Sequence, residues 1–559
     1  MPTQWIPRRC GLCQFDFSIG TDLIPICCTD GKLFSPFLYE TRFISDGQFT
    51  SHNPITVCDL ECVKFLVFKP RGFLQATAYA FEPSFYERQR RFAWLRLQLA
   101  SHINLPRPYL PMELRNEIAQ YLLREYSITR AAKNWLTFRV PIDIYVDIST
   151  KIWARYIEFE GIKYLATLSN KPCDDGILLI GNSISEIHNI YISEDHLGIR
   201  QIYFTYPTHA SITPSSGIWW RTLPRPYSDV KLHGKTDGLK LRDLAWSQAS
   251  RTPTPRRIAW DIPRLPTSVV RHYSLGGTAH RMASVPYNTP AVIAYSFCWN
   301  RQLISIYAHI AGEDSLLYKS TSTDRTGDIW LYMPINSGEY ITEIWMRHRQ
   351  LARELALIVR TNIGRIMVTG PQPKKSWPPC TWTLLDTPEN LPNRLFFEDS
   401  PSGIQELGFE TCLPTPQKCA AVPIPASPYP ESTSLEDYFY TSASLEGVVA
   451  VTPCRVKQAN IFIFTGMLLH YANGYENAVG QVRFDCLDDI FRVDSSETLT
   501  LGFLTMGGCP YVANIQLSPP KKDNMVYLNI PRHGWIEWWF SYRQCKVYCN
   551  GKASMPTIF

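Results

Sequence analysis

Apolar and polar positions follow two rhythms along this chain, and the change falls near residue 137. Before it, apolar residues recur at helical spacing. Over residues 86–99, Phe92, Leu95 and Leu99 make one face, while Arg88, Arg90, Arg91 and Arg96 fall largely elsewhere. Over residues 110–123, Leu110, Leu114, Ile118, Tyr121 and Leu122 form an apolar stripe. Pro111 suits the first turn of that helix, where a missing N–H is harmless, and Glu113 favours the positive end of its dipole. Ser127 is placed to cap a second helix that contains Ala131, Ala132 and Trp135. From about 140 to 370 the pattern becomes short alternating runs broken by Gly, Pro, Asn and Asp, which predicts strands. Residues 337–371 read as three of them. Ile341, Ile344 and Trp345 lie in the first, and Leu355, Leu357 and Val359 in the second. The turn at Thr361 to Gly364 leads to Ile366 and Val368 in the third.

Residues 371–430 hold thirteen of the forty-two prolines, a density that favours extended backbone and predicts a linker over 371–434. A second strand-rich unit follows from 435 to 559. The expected organisation is therefore multidomain: a Cys-rich module over 1–70, a helical segment over 75–137, an all-β domain over 140–370, the proline-rich linker, and a second all-β unit. At 559 residues, with 45% hydrophobic and 13% aromatic content, the chain can bury several cores.

The Cys-rich module carries the most specific chemistry. Cys10-Gly-Leu-Cys13 is a C-x2-C pair, and Cys58-Asp-Leu-Glu-Cys62 is a C-x3-C pair, with forty-four residues between the two. Two such pairs fit a structural zinc site of four thiolates. The span between reads as sheet, with a run from Leu23 to Cys27, a turn at Thr29 to Lys32, and a run from Leu33 to Phe37. Zinc would supply folding energy that so short a segment lacks in its own core. Cys27, Cys28 and His52 are substitutes should one ligand fail. Cys27 and Cys28 are adjacent and point to opposite faces, so only one of them can join. The competing reading is four unrelated reduced thiols.

Charge and targeting signals narrow the setting. The formal net charge of +6 is mild for this length, and the basic clusters (Arg88 to Arg96, then Arg251, Arg256 and Arg257) read as solvated faces rather than a nucleic-acid surface. The N-terminus has no apolar run like a signal peptide, and no stretch approaches the twenty apolar residues that span a bilayer. The expectation is an intracellular protein, cytoplasmic or nuclear, whose sixteen Cys are mostly reduced. No nucleophile elbow, phosphate loop, H-E-x-x-H or dinucleotide fingerprint occurs, so a non-enzymatic role is expected. Cys298, His309 and Asp314 offer thiol, imidazole and carboxylate within one segment, yet Cys298 reads as a buried strand thiol and His470 as a hydrogen-bonded sheet residue.

Two resemblances add to this reading. Leu110, Pro111, Glu113, Leu114, Ile118, Tyr121, Leu122 and Trp135 resemble the F-box, whose opening is L-P-x-E-L/I-x-x-x-I-x-x-Y/F-L. That resemblance implies that Leu110, Pro111, Glu113, Leu114 and Ile118 bind a Skp1-type adaptor of a ubiquitin ligase. Glu339 to Thr342, Ile344, Leu357, Thr361, Asn362, Gly364, Arg365, Gly370 and Pro371 are similar to a phrase of jacalin-type lectins, which implies a β-prism or related sandwich. Gly276-Gly277 is a candidate for the Gly-Gly loop of that family's sugar site, whose second, terminal loop has no match here. Near the end, Trp535, Glu537 and Trp539 alternate with Ile536, Trp538 and Phe540, which makes either a binding platform or a strand buried on both faces. The whole order of Cys cluster, F-box-like segment and strand-rich regions resembles a group of fungal proteins. The expected function is an interaction protein that recruits substrates through its β domains; the alternative is a cytosolic jacalin-like carbohydrate-binding protein.

Overall fold

Strands dominate the chain as its alternating patterns predict, and five helices among the described residues interrupt them early. The computed structural model describes residues 8–27, 31–39, 55–65, 72–103, 110–138, 140–173, 175–180, 189–204, 217–226, 231–247, 258–263, 271–274, 280–312, 318, 327–349, 355–374, 376–378, 380–400, 403–410, 424–430, 436–458, 461–494, 497–517 and 524–554. Its contacts divide the chain into two units, Met1–Arg264 and Leu265–Phe559.

The first unit opens with a small antiparallel sheet. Its central strand β1 (Asp22–Cys27) lies between β2 (Phe37–Leu38) and β3 (Ile55–Asp59), with Ile24 opposite Cys58. Helix α1 (Leu60–Lys64) begins directly at the end of β3, because the Asp59 carboxylate caps it by accepting from the Glu61 N–H at 2.9 Å. Helices α2 (Phe73–Thr77), α3 (Phe85–His102), α4 (Met112–Gln120) and α5 (Leu123–Thr137) follow. Ser84 caps α3 by accepting from the Glu87 N–H. Ser127 does not cap the last helix. The α4–α5 link is so tight that α5 starts at Leu123, and the Ser127 hydroxyl donates to the Arg124 carbonyl inside it.

The remaining strands of this unit are β4 (Asp143–Val146), β5 (Ile152–Phe159), β6 (Ile162–Ser169), β7 (Ile177–Ile180), β8 (Asn189–Asp195), β9 (Gly198–Tyr203), β10 (Trp219–Pro224), β11 (Leu232–Thr236), β12 (Leu241–Trp246) and β13 (Ala259–Trp260). They pair in the orders β6-β5-β7, β12-β11-β4 and β13-β10-β8-β9. Between β5 and β6 the turn residues Glu160 and Gly161 both have positive φ, the geometry of a two-residue hairpin. Gly161 is required there twice over, since a Cβ would lie 2.5 Å from the Trp94 indole of α3.

One buried cluster joins Leu12, Phe17, Leu23 and Val57 to Phe73 and Leu74 of α2, Ile128 of α5, and Phe159 and Tyr164 of the β5–β6 hairpin. The boundaries expected at 70 and 137 therefore do not separate cores. Polar groups reinforce this. The fully buried Lys240 ammonium donates to the Ala76 carbonyl at 2.6 Å and pairs with Asp237 at 3.0 Å, which fastens α2 to the β11–β12 turn.

The second unit is built of antiparallel strands. Val292–Asn300 lies between Gln302–Ile310 and Ile329–Pro334, and Ile341–Arg349 lies between Leu355–Thr361 and Cys380–Asp386. The three strands expected over 337–371 are present, the third as Ile366–Val368. The proline-rich stretch expected to be a linker instead carries Cys380–Asp386, Asn393–Glu398 and Glu406–Phe409. Its prolines flank those runs, leaving Leu385, Leu395, Phe397, Leu407 and Phe409 free to alternate inward. These join a core that extends to Trp538 and Cys549, so the two β regions expected over 140–370 and 435–559 are not divided at the prolines. No described helix is long and apolar enough to cross a membrane.

Candidate metal centre

The two cysteine pairs meet. Cys10 and Cys13 occupy a turn ahead of β1, Cys58 lies on β3 and Cys62 on α1. The sulfurs of Cys10, Cys13 and Cys62 lie within 4.8 Å of one another, a buried group that could hold a metal ion. Cys58, the fourth expected ligand, is fully buried on β3 but is not part of that three-sulfur group.

Backbone geometry explains why these residues converge. The Gln14 N–H donates to the Cys10 carbonyl at 2.8 Å, closing the turn. Gly11 donates to the Val57 carbonyl at 2.9 Å, pressing the turn against β3. A Cβ at Gly11 would fall 1.9 Å from Thr56 Cγ2, so the approach is open to glycine alone. The N–H groups of Leu12 and Asp59 both point at the Cys10 sulfur, each at 3.4 Å.

That sulfur is the natural anion of the group. Burial opposes its ionisation, but hydrogen bonds from Cys13, Cys58 and Cys62 outweigh burial and hold Cys10 well below the ordinary thiol range. Burial, then the neighbouring Cys10 anion, pushes Cys13 and Cys58 up; hydrogen bonding to Cys10 and Cys13, more than burial, pushes Cys62 up. A divalent cation would displace the thiol protons and satisfy all the sulfurs at once.

Cations of the protein brace the group from outside. Arg91 of α3 donates to the Cys13 carbonyl at 2.8 Å and forms a buried two-point pair with Glu160 at 2.5 and 2.7 Å. Arg124 of α5 pairs with Asp59 at 2.7 Å and donates to the Asp16 carbonyl at 2.8 Å. The Thr77 hydroxyl donates to the Gly11 carbonyl at 2.7 Å. Arg91 was legible only as one of several basic residues on a helix; its role needed the Glu160 turn, sixty-nine residues away.

Other expected site residues are distributed as follows. Cys27 is buried on β1 outside the sulfur group, and Cys28 and His52 lie outside the described residues. On α4 the apolar stripe faces solvent: Leu114 is 50% exposed, Ile118 39% and Tyr121 78%, while Ala119 is the buried residue. Pro111 is the N-cap and is exposed with Glu113, and the partly buried Leu110 accepts from Arg115 Nε at 2.9 Å. Trp135 packs edge-on against Phe73 with centroids 5.9 Å apart.

In the lectin-like phrase, the buried Glu339 carboxylate accepts from the Asn336 N–H at 3.0 Å and from Arg365 at 2.9 Å, and Asn362 accepts from the Tyr340 N–H. These residues shape turns. Gly276 and Gly277 lie outside the described residues, as do Asp314 and Arg251, Arg256 and Arg257. The tryptophan strand is buried on both faces except for Trp535, 59% exposed, and its Glu537 accepts from Ala426 N–H, Ser427 N–H and the Tyr440 hydroxyl. His309 bonds Ser296 at 2.7 Å and Tyr318 at 3.3 Å, while Cys298 packs with Tyr318 and Trp330. Ser296 and Tyr318 are wholly buried. His470 bonds Thr452 at 2.8 Å within its sheet.

No protein-family model and no curated protein matches this chain. Among solved structures it is similar to a lamprey immune protein, at 10% identity over 52% of this chain and 93% of that one, with a TM-score of 0.17. A likeness at that level carries no argument about fold or function.

Proposed function

We propose that this protein is a non-enzymatic interaction protein in which a metal-clamped module braces a helical docking face. The metal we assign is zinc, held by Cys10, Cys13, Cys58 and Cys62. An all-sulfur donor set suits zinc among the common structural ions, and four ligands leave no open position for chemistry. Bound there, zinc would lock the turn, β3 and α1 together. Through Arg91 and Arg124 that lock extends to α3 and α5, the helices that carry α4.

The observation that carries the docking role is the outward stripe of α4. Leu114, Ile118 and Tyr121 share one side of the helix and are all exposed, and Leu122 just beyond it is exposed too. Single exposed apolar residues are ordinary, but a contiguous row on one helix marks a binding face. Its agreement with the F-box pattern makes a Skp1-type adaptor the partner proposed, inside the cell, with the β regions as recognition surface. The test is capture of a purified adaptor by the full chain. The L114A/I118A double variant should keep the wild-type circular dichroism and lose at least about tenfold in affinity. Equal binding by that variant, or no binding by the wild type, would reject the proposal.

A further inference from the structure

Away from the sulfur group, the first unit contains a cleft of about 380 Å³ at the N-terminal end of α3. We propose that it binds a small organic oxyanion, a carboxylate or phosphate head carried on an apolar body. No part of the docking function requires it.

The argument starts from which polar groups are already satisfied. Glu87 is held at two points by Arg90, at 2.8 and 2.6 Å. Asp195 accepts from Arg200 at 2.7 Å, the Tyr164 hydroxyl at 2.8 Å, and the N–H groups of Leu197 at 2.8 Å and Gly198 at 3.2 Å. Both carboxylates that line the cleft are saturated, so they offer little to a cation.

The unclaimed groups are mainly donors. His196 lines the cleft and is 2% exposed; its carbonyl accepts from the Ala80 N–H at 2.8 Å, but its imidazole makes no hydrogen bond to any described residue, and the Phe81 ring meets it edge-on with centroids 6.3 Å apart. An imidazole buried to that extent ordinarily has a partner. Arg200 uses one nitrogen on Asp195 and lies over the Tyr164 ring at 5.5 Å, leaving its other N–H groups without a partner among the described residues. The eighteen-residue α3 adds the positive end of its dipole to the same space. A guanidinium edge, an imidazole and a helix N-terminus together match an oxyanion. Ile162 and Ile218 supply an apolar wall, and the volume falls in the range of small-molecule sites rather than that of a bare ion.

The proposal is tested by calorimetric titration of the full chain with phenyl phosphate and, separately, with phenylacetate; inorganic phosphate and benzyl alcohol serve as comparisons. At least one aromatic anion should saturate at about one per chain, and whichever binds identifies the head group. R200K keeps Asp195 paired but loses the planar donor edge, and H196F keeps the ring packed against Phe81 but loses its nitrogens. Each should weaken binding by about tenfold, with melting unchanged for R200K. If H196F melts early, R200K decides the matter alone. Absence of binding by both anions, unchanged affinity in R200K, or benzyl alcohol binding as tightly would overturn the site. Inorganic phosphate binding as tightly as phenyl phosphate would overturn the apolar body.

Discussion

Cys10 in the first unit and Glu537 in the second are both buried anion-forming groups, and the chain surrounds them in opposite ways. Glu537 receives two backbone N–H groups and the Tyr440 hydroxyl, so its charge is answered within the protein. Cys10 receives two N–H groups and otherwise faces the buried sulfurs of Cys13 and Cys62, thiols that would also ionise if a cation were at hand. A buried carboxylate with its own donors is a structural tie. A set of buried sulfurs gathered on one another, by contrast, could hold a metal ion.

The comparison is broken most directly at the sulfurs. The C10S/C13S variant of the full chain should lose its bound zinc, measured by elemental analysis against about one per wild-type chain. The first unit should lose about 5 kcal/mol or more of stability, since structural zinc sites contribute of that order or above. The second unit's calorimetric transition should not move. A variant that melts like the wild type would show that the thiols are only core. Next in size is R91M, which strands Glu160 without its partner and frees the Cys13 carbonyl. Breaking such a buried pair costs about 3–5 kcal/mol, to be read from urea unfolding of the first unit.

Two smaller effects sharpen the other side. Burial holds the His309 imidazole at about 4, below the ordinary value of 6.5. The unfolded chain therefore binds the extra proton first as pH falls. Stability associated with this group is full above about 6.5 and declines between 6.5 and 4, by roughly 3 kcal/mol at most. H309Q should flatten that part of the second unit's pH–stability curve. Finally, E537Q swaps an acceptor oxygen for donors facing Ala426, Ser427 and Tyr440. It should cost the second unit about 2 kcal/mol in urea unfolding and leave zinc content unchanged. A change in zinc content would mean that the two sites are not independent.

Much of this was legible locally. The helical stripe over 110–122 and the three strands over 337–371 follow from periodicity, and the cysteine spacings pointed to converging sulfurs before any fold was known. What failed did so for identifiable reasons. Proline density over 371–434 suggested a linker because composition does not say where each proline falls, and here they flank strands. The α4 stripe had the spacing of a core face, and only packing showed that Ala119, not Leu114 or Ile118, turns inward. The cleft beside α3 gave no signal, because His196, Arg200 and Arg90 come from different elements and are ordinary residues in each.

The chain alone determined which segments coil and which extend, and that four cysteines stood in two pairs at ligand spacing, because periodicity and short turns are set by neighbours within a few residues. Tertiary structure alone decided that Cys62 reaches Cys10 and Cys13, that Arg91 answers Glu160, and that α4 shows its apolar side to solvent. Those outcomes depend on burial and charge pairing between residues tens of positions apart, and burial is a property of the packed chain rather than of any segment within it.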